Sequence, residues 1–227
     1  KKKTIFIVEA SSYQLEYSRI FKSKFAAILN ISPDHIERHK TIKRYVSAKF
    51  KLLKHQSKQS ICFVKKNDKF IEKGLKVKKI KSKIIKVDTY KSHKILNNQK
   101  NEYFLTDANK ENLSFVLAIA EKFKLNKQLI FNNIKKFKGL KYRQQIIFNK
   151  KFLTIINDSK STSFSSSVGL LKSNKNIYWL LGGIYKKGDK FNLSRKYFKN
   201  IKAFIYGKNK KFFNKKLKGK IDYKNFK

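Results

Sequence analysis

The chain has 227 residues, of which 57 are lysine or arginine and 14 are aspartate or glutamate, giving a formal net charge of +43 at pH 7. Its 41% hydrophobic and 14% aromatic residues exclude a disordered composition, and its single cysteine excludes an intrachain disulfide. No apolar run is long enough to span a bilayer, so we expect a cytoplasmic protein without a membrane partner.

Taken alone, this positive charge favours a polyanionic partner, because lysine and arginine neutralise phosphates. Arginine, however, occurs only at positions 19, 38, 44, 143 and 195, and the lysines are spread from Lys1 to Lys227. Base-edge readout and bidentate phosphate contacts favour arginine, so the pattern is more typical of a solvated surface. We expect no nucleic-acid partner and keep a basic nucleic-acid-binding module as an alternative.

Short apolar runs alternate with helical patterns in the first part of the chain. Continuous apolar runs predict strands at residues 4–8, 26–31, 60–64 and 84–87. Apolar residues at helical spacing predict helices at residues 42–54, 109–123 and 126–137. Thr41 is the expected N-cap of the first of these helices, and Gly139 ends the last. Unbroken strands separated by helices predict an α/β fold with a mainly parallel sheet covered on both faces.

The pattern restarts after Gly139. We expect a hairpin turning at Asn149-Lys150 and a loop at residues 159–167. The strand IYWLL, the helical segment NLSRKYFKN and the strand IKAFIYG follow in that order. We therefore place a domain boundary near 139–142, which divides the chain into domains 1–139 and 140–227.

Three residues of the first domain are candidates for a metal site. Glu9 ends the first predicted strand, His35 follows the second, and Lys49 lies on the apolar stripe of the helix after Thr41. A carboxylate suits Mg²⁺, whereas histidine is more usual with Mn²⁺ or Zn²⁺. The pattern leaves open that Glu9 and His35 are solvated. It also leaves open whether Lys49 snorkels to water or, as a desolvated amine, takes up CO₂ as a carbamate.

Polar residues also follow strands in the second domain. Asp158, Lys160 and Thr162 lie in a segment that either caps the next helix or contacts an anion at the helix N-terminus. The Gly182-Gly183 pair is a weak phosphate signal, because neither a G-x-G-x-x-G nor a P-loop pattern occurs in these residues.

Four segments in a fixed order carry more information than their separate patterns. They are VEASSYQLE, LNISPDHIERHKTIKRYVSAKFKL, INDSKSTS and LLGGIYKKG. In this order the chain resembles the Mur ligase family, and SSYQLE resembles the members that add D-glutamate. The resemblance implies a central ATPase domain at 1–139 and a partial Rossmann-like C-terminal domain at 140–227.

The resemblance implies a reaction as well. ATP phosphorylates the terminal carboxylate of UDP-N-acetylmuramoyl-L-alanine, and the amine of D-glutamate attacks the acyl phosphate. Glu9 and His35 resemble magnesium ligands of the family, with Mn²⁺ as an alternative ion. Lys49 resembles the lysine that the family carbamylates. Such an enzyme is expected to be a monomer acting in peptidoglycan precursor synthesis in the cytoplasm.

The resemblance also assigns nucleotide and amino-acid contacts. Asn109 resembles the asparagine on the adenine side, Arg143 a nucleotide-contacting arginine, and Asp158 and Lys160 an ATP-contacting acid and lysine. The positions that engage D-glutamate match Thr162 and Lys186, with Lys187 as a competitor for the second.

Departures from the family set further expectations. Tyr142 stands where the family usually has histidine, and Gln144-Gln145 stand where an acid is usual. The family's uridine-nucleotide domain, P-loop and final substrate-binding segment have no match. We therefore expect an internal fragment that lacks activity alone. A folylpolyglutamate-type ligase is a further alternative.

Overall fold

The structure is a computed structural model that describes residues 4–32, 35–89, 101–185 and 189–226. Two compact units divide the chain. The first contains Lys1–Asn98 and Glu111–Lys127, and the second contains Gln99–Lys110 and Gln128–Lys227.

The elements before residue 139 follow the predicted alternation of strands and helices. The strands are β1 Phe25–Ile28, β2 Ile61–Lys65 and β3 Lys83–Val87. The α-helices are α1 Ser12–Tyr17, α2 Ile36–His39, α3 Ile42–Phe50, α4 Lys69–Val77, α5 Asp107–Lys122 and α6 Lys127–Lys136. Short 3₁₀ segments occupy Lys51–Leu53 and Glu102–Leu105.

The sheet of the first unit has the order β1-β2-β3, and both of its pairings are parallel. Strand β2 is central, and its residues Ile61 to Val64 are buried on both faces. Cys62 and Val64 pack in one apolar cluster with Phe50 and residues of α3 and α4. Ile61 and Phe63 pack on the other side with Phe115 of α5. The prediction of a parallel α/β sheet covered on both faces is confirmed here.

The predicted strand at residues 4–8 is wrong. This segment has no regular secondary structure, and Ile5, Phe6, Ile7 and Val8 are 64–96% exposed. An apolar run becomes a strand when a neighbouring strand pairs with its backbone and a core covers its side chains. The described residues supply neither to this segment, so Glu9 does not lie at a strand end.

Cys62 is fully buried in β2, and burial raises the pKa of its thiol from 9.0 to about 12. Burial acts in this direction because it disfavours the charged thiolate, which is the nucleophilic form. We expect a maleimide at pH 8 to label the folded chain at least about a hundredfold more slowly than the urea-unfolded chain. Equal rates, followed by mass spectrometry, would contradict the buried position.

The second unit contains two more sheets. Strands β4 Gln145–Lys150 and β5 Leu153–Asn157 form an antiparallel hairpin. The remaining elements are α7 Phe164–Ser173, β6 Ile177–Gly182, a 3₁₀ segment Arg195–Asn200, β7 Ile201–Tyr206, α8 Lys210–Leu217 and β8 Asp222–Asn225. Strands β6, β7 and β8 are parallel and adjacent in that order.

Three details of the second unit differ from the sequence predictions. The hairpin turns at residues 151–152, two residues later than expected. The predicted loop at 159–167 ends early, because Ser163 caps α7 with a reciprocal pair of bonds to Ser166. The β6-β7-β8 sheet buries one face in an apolar core, whereas Tyr178 and Leu180 on β6 are 69% and 70% exposed.

Candidate functional site

The segment after Glu9 forms helix α1 because its first residues satisfy each other's backbone groups. The Ser11 hydroxyl accepts a hydrogen bond from Gln14 N at 3.2 Å, and Gln14 Oε1 accepts one from Ser11 N at 2.8 Å. This capping box starts a helix that buries Ser12 and Leu15. Tyr13 is half-buried beside them.

His35 lies at the start of helix α2 with φ 54°, in the left-handed region. That backbone conformation is uncommon for a residue with a side chain and is found often at functional sites. The Tyr13 hydroxyl lies 3.1 Å from His35 Nδ1, and Glu37 Oε1 lies 3.6 Å from the same nitrogen. These contacts set the orientation of the imidazole ring.

Lys49 and His35 both lie near the ring of Tyr45 in the first unit. Tyr45 is buried on α3, and its ring centre lies 6.3 Å from that of His35. Lys49, one turn later on α3, places its Nζ 5.2 Å from the centre of the Tyr45 ring. We call Tyr13, His35, His39, Tyr45 and Lys49 the histidine–tyrosine cluster. Glu9 lies outside it, exposed in the irregular segment before α1.

His39 ties α1 to α2 inside this cluster. Its side chain is 1% exposed, and its Nε2 lies 3.0 Å from the hydroxyl of buried Ser12. On the other side of the ring, Nδ1 lies 4.0 Å from Glu16 Oε2, which also pairs with Arg38 at 3.2 Å. The buried hydrogen bond between His39 and Ser12 connects α2 to the helix that carries Tyr13.

Asn109 is buried near the start of α5, in the part of that helix that belongs to the second unit. Its Nδ2 donates to the Tyr103 carbonyl oxygen at 2.6 Å and to Gln144 Oε1 at 3.1 Å. The Thr106 hydroxyl donates to the same Gln144 oxygen at 2.9 Å. Gly139, with φ 76°, is required beside this network, because a Cβ there would lie 2.4 Å from the Tyr103 ring.

Asp158 joins this network through the backbone of Gln144. Its Oδ1 accepts a hydrogen bond from Gln144 N at 3.0 Å, and its Oδ2 accepts one from the Ser161 hydroxyl at 2.6 Å. Arg143 is exposed, and its positive charge acts electrostatically on the Tyr103 phenol. Burial raises the pKa of the Tyr103 phenol, whereas the Arg143 guanidinium lowers it.

The remaining predicted site residues are Lys160, Thr162 and Lys186. Lys160 donates its backbone N–H to the Tyr142 carbonyl at 3.0 Å, and its side chain is exposed. Thr162 is also exposed. Lys186 and its competitor Lys187 lie outside the described residues. The segment from Asp158 to Thr162 does not cap α7, because Ser163 does so.

Sequence reasoning missed the partners that hold these residues. In the sequence, Tyr13 is only part of a motif, and Gln144 is only a departure from a family pattern. Their hydrogen-bond partners are distant in sequence, 22 residues away for Tyr13 and 35 for Gln144. A single sequence contains no periodic signal for such pairs.

Among the described residues, no helix is long and apolar enough to cross a membrane. Within the same ranges, no three side chains of histidine, cysteine, aspartate or glutamate form a group that could hold a metal ion. The predicted set contains only two such side chains, Glu9 and His35, with Lys49 as the third member.

The Mur ligase middle domain model matches residues 1–130 of the chain. The chain belongs to the Mur ligase family. Among curated proteins, it is 31% identical over 242 residues to UDP-N-acetylmuramoylalanine–D-glutamate ligase of Rickettsia bellii, covering 96% of the chain and 53% of that protein. It is 32% identical over 222 residues to the ligase of the same name from Francisella tularensis subsp. novicida, covering 96% and 51%. The chain thus spans about half the length of these relatives.

Solved Mur ligases share the fold. MurF from Acinetobacter baumannii aligns with a TM-score of 0.67 and 17% identity, covering 95% of the chain and 52% of MurF. MurC from Thermotoga maritima aligns with a TM-score of 0.59 and 16% identity, covering 95% and 53%. MurF from T. maritima, solved in complex with ADP, aligns with a TM-score of 0.58 and 12% identity, covering 89% and 58%. These alignments show that the chain has the α/β fold of Mur ligases, which agrees with the sequence prediction.

Proposed function

We propose that this chain is part of an ATP-dependent ligase that joins D-glutamate to UDP-N-acetylmuramoyl-L-alanine through an acyl phosphate. One observation carries the proposal: separate family segments meet through specific side-chain contacts. Tyr13 of the first segment contacts His35 of the second at 3.1 Å, and Asp158 of the third supports the Asn109 network through Gln144. The names of the Rickettsia and Francisella relatives support D-glutamate as the added amino acid.

The domain assignment forms part of the proposal. Residues 1–139 would be the later part of the central ATPase domain, and 140–227 the first part of the C-terminal domain. The family-model match over residues 1–130 supports the first assignment. We further propose that the enzyme works in the cytoplasm as a monomer, without a nucleic-acid partner.

In this proposal, residues of the first unit would hold a divalent cation. The Tyr13 hydroxyl contacts His35 Nδ1, which directs ligation to Nε2, and such support of a ligating histidine is usual in metal sites. Glu9 would supply a carboxylate oxygen, and Lys49, if carbamylated, a second one. Mg²⁺ suits two oxygen ligands, and Mn²⁺ suits the added imidazole. The bound ion would supply charge compensation for the transferring phosphoryl group.

The second unit would hold the nucleotide. Asn109 would contact the adenine, while Arg143, Asp158 and Lys160 would contact the rest of ATP. An exposed arginine and an exposed lysine near the Asp158 loop suit the phosphates, because both donate charge-assisted hydrogen bonds. Thr162 and Lys186 would engage D-glutamate, the lysine by pairing with a substrate carboxylate.

In the reaction, the precursor carboxylate attacks the γ-phosphorus of ATP and ADP leaves. The amine of D-glutamate then adds to the acyl carbon, and inorganic phosphate leaves as the amide forms. The side chains of this chain hold the reactants in line and offset negative charge on the transferring group and on the tetrahedral intermediate. Such positioning supplies most of the rate enhancement in phosphoryl transfer.

A coupled phosphate-release assay tests this function. The gene product that contains these 227 residues is mixed with ATP, Mg²⁺, UDP-N-acetylmuramoyl-L-alanine and D-glutamate. We expect phosphate release that requires both substrates, with a turnover of about 1 to 10³ s⁻¹ as for ordinary enzymes.

The matched controls replace one reactant at a time. L-Glutamate, L-alanine and L-lysine in place of D-glutamate test the amino-acid specificity, and a folate in place of the nucleotide precursor tests the alternative ligase. Release that is equally fast with another amino acid would contradict D-glutamate specificity. No release under any combination would contradict ligase activity.

A further inference from the structure

Gln144 is held at both ends within the second unit. Its backbone N–H donates to Asp158 Oδ1 at 3.0 Å. Its side-chain oxygen accepts hydrogen bonds from the Thr106 hydroxyl at 2.9 Å and from Asn109 Nδ2 at 3.1 Å. Its φ of 47° is in the left-handed region, which residues with a Cβ adopt when other contacts require it. These contacts connect two predicted nucleotide contacts, Asn109 and Asp158.

The orientation of the Asn109 carboxamide follows from its partners. The Tyr103 carbonyl oxygen can only accept a hydrogen bond, so the Asn109 atom 2.6 Å from it is the nitrogen. The same nitrogen faces Gln144, which must therefore present its oxygen and not its amide nitrogen. Thr106 closes the network, because its hydroxyl donates to Gln144 and its oxygen accepts from Asn109 N at 3.4 Å.

Both protons of the Asn109 amide nitrogen are used in this arrangement. One bonds to the Tyr103 carbonyl and the other to Gln144 Oε1. The oxygen, a pure acceptor, is therefore the carboxamide atom left to contact a nucleotide base in the proposed site. An acceptor pairs with the 6-amino group of adenine and opposes the 6-oxo group of hypoxanthine or guanine.

We infer that Gln144 is a positioning residue that fixes the Asn109 carboxamide and thereby makes the site select 6-aminopurine over 6-oxopurine nucleotides. The inference rests on the proposed function, since it takes Asn109 as the contact to the base. Gln144 acts through Asn109 and does not itself need to touch the nucleotide. Without Gln144, the Asn109 carboxamide could turn over and exchange the positions of its oxygen and nitrogen. Only the hydrogen bond to the Tyr103 carbonyl oxygen would then be lost.

Equilibrium binding of ATP and inosine triphosphate to the gene product that contains this chain tests the inference. We expect wild type to bind ATP more tightly, and Gln144→Met to reduce that preference by about tenfold, the effect of one net hydrogen bond. Methionine has nearly the same shape as glutamine, and position 144 lines a cavity of about 150 Å³. Gln144→Glu keeps the acceptor oxygens and should retain the preference.

Gln145→Met is the matched control. The Gln145 side-chain oxygen accepts from Tyr142 N at 3.0 Å, a bond within its own loop. This variant should keep the wild-type ratio of the two affinities. An unchanged ratio in Gln144→Met, or equal wild-type affinities for the two nucleotides, would overturn the inference and leave the ligase proposal intact. Wild type that binds neither nucleotide would contradict the ATP site itself.

A second measurement needs no variant of Gln144 to fold. Nuclear magnetic resonance of the wild-type gene product can follow both side-chain amide protons of Asn109, identified by their loss in Asn109→Asp. We expect both to exchange with solvent more slowly than those of Asn132, whose side chain lies on the exposed surface of α6. Exchange of either proton at the Asn132 rate would overturn the inferred orientation.

Discussion

Lys49→Ala and Glu9→Ala are each expected to lower kcat of the ligase by at least about 10²- to 10³-fold while leaving its fold intact. Both residues belong to the proposed cation site, and losing one preorganised charge contact to a transition state has an effect of this size. Neither change removes a core side chain, because Glu9 is exposed and Lys49 is half-buried beside Tyr45. Phosphate release measures kcat, and circular dichroism measures the fold.

The double variant makes this prediction sharper. If Glu9 and Lys49 serve one cation, removing the second after the first should cost little more, because residues that act as a unit have non-additive effects. Independent roles would instead multiply the two losses. Titration with Mn²⁺, followed by electron paramagnetic resonance, gives a separate readout. Each single variant should weaken Mn²⁺ binding.

Lys43→Ala is the control for Lys49→Ala. Lys43 lies on the same helix, α3, and its side chain is exposed. The substitution removes the same charge from the same element, so it reports any general effect of charge or of helix stability. Normal activity in Glu9→Ala or Lys49→Ala would remove that residue from the site.

Patterns within short stretches of the sequence predict most of the strands and helices of the fold. A continuously apolar run predicts strand β2, and the structure buries this strand on both faces between two clusters. Helix α3 begins where predicted, because Thr41 accepts a hydrogen bond from Arg44 N at 3.2 Å. Each signal is contained within about ten residues, and the environment of each element does not oppose it.

The wrong predictions concern structural features that depend on residues distant in the sequence. Residues 4–8 are as apolar as β2, yet a strand also needs a paired neighbour, and the described residues offer none. The turn of the β4-β5 hairpin is set by the register between two strands, which includes an irregularity between Ile146 and Phe148. Neither pairing nor register is contained in an isolated apolar run.

The candidate site shows the same difference between what short sequence patterns predict and what tertiary contacts determine. The family resemblance points to His35 and Asn109 but not to the side chains that orient them. Tyr13 orients the first and Gln144 the second, each through a contact between separate segments. A motif records which residue type is present, whereas its orientation depends on tertiary hydrogen bonds.

His39→Ala is expected to destabilise the first unit by about 2 to 4 kcal/mol, a typical range for emptying a buried site and breaking a buried hydrogen bond. The imidazole is 1% exposed and packs against the Tyr13 and Tyr45 rings, whose centres lie 5.6 and 5.3 Å away. Its removal also leaves the buried Ser12 hydroxyl without the imidazole at 3.0 Å. Urea unfolding followed by far-ultraviolet circular dichroism measures the change.

A double-mutant cycle separates the hydrogen bond from the packing. Ser12→Ala removes only the hydroxyl and should cost about 1 kcal/mol, whereas Ser12→Ala combined with His39→Ala should cost less than the sum of the two. A coupling energy of zero would show that the Ser12–His39 contact does not stabilise the unit. His55→Ala is the matched control, since it removes a half-buried imidazole outside the histidine–tyrosine cluster and should cost less.

The fluorescence of the single tryptophan shows which unit the His39→Ala substitution destabilises. Trp179 lies on β6 in the second unit, so its fluorescence follows the unfolding of that unit. His39→Ala should shift the circular dichroism transition of the first unit to lower urea, and the Trp179 transition should stay in place. A Trp179 transition that moves by the same amount would show that the two units unfold together, with the His39 contact stabilising both.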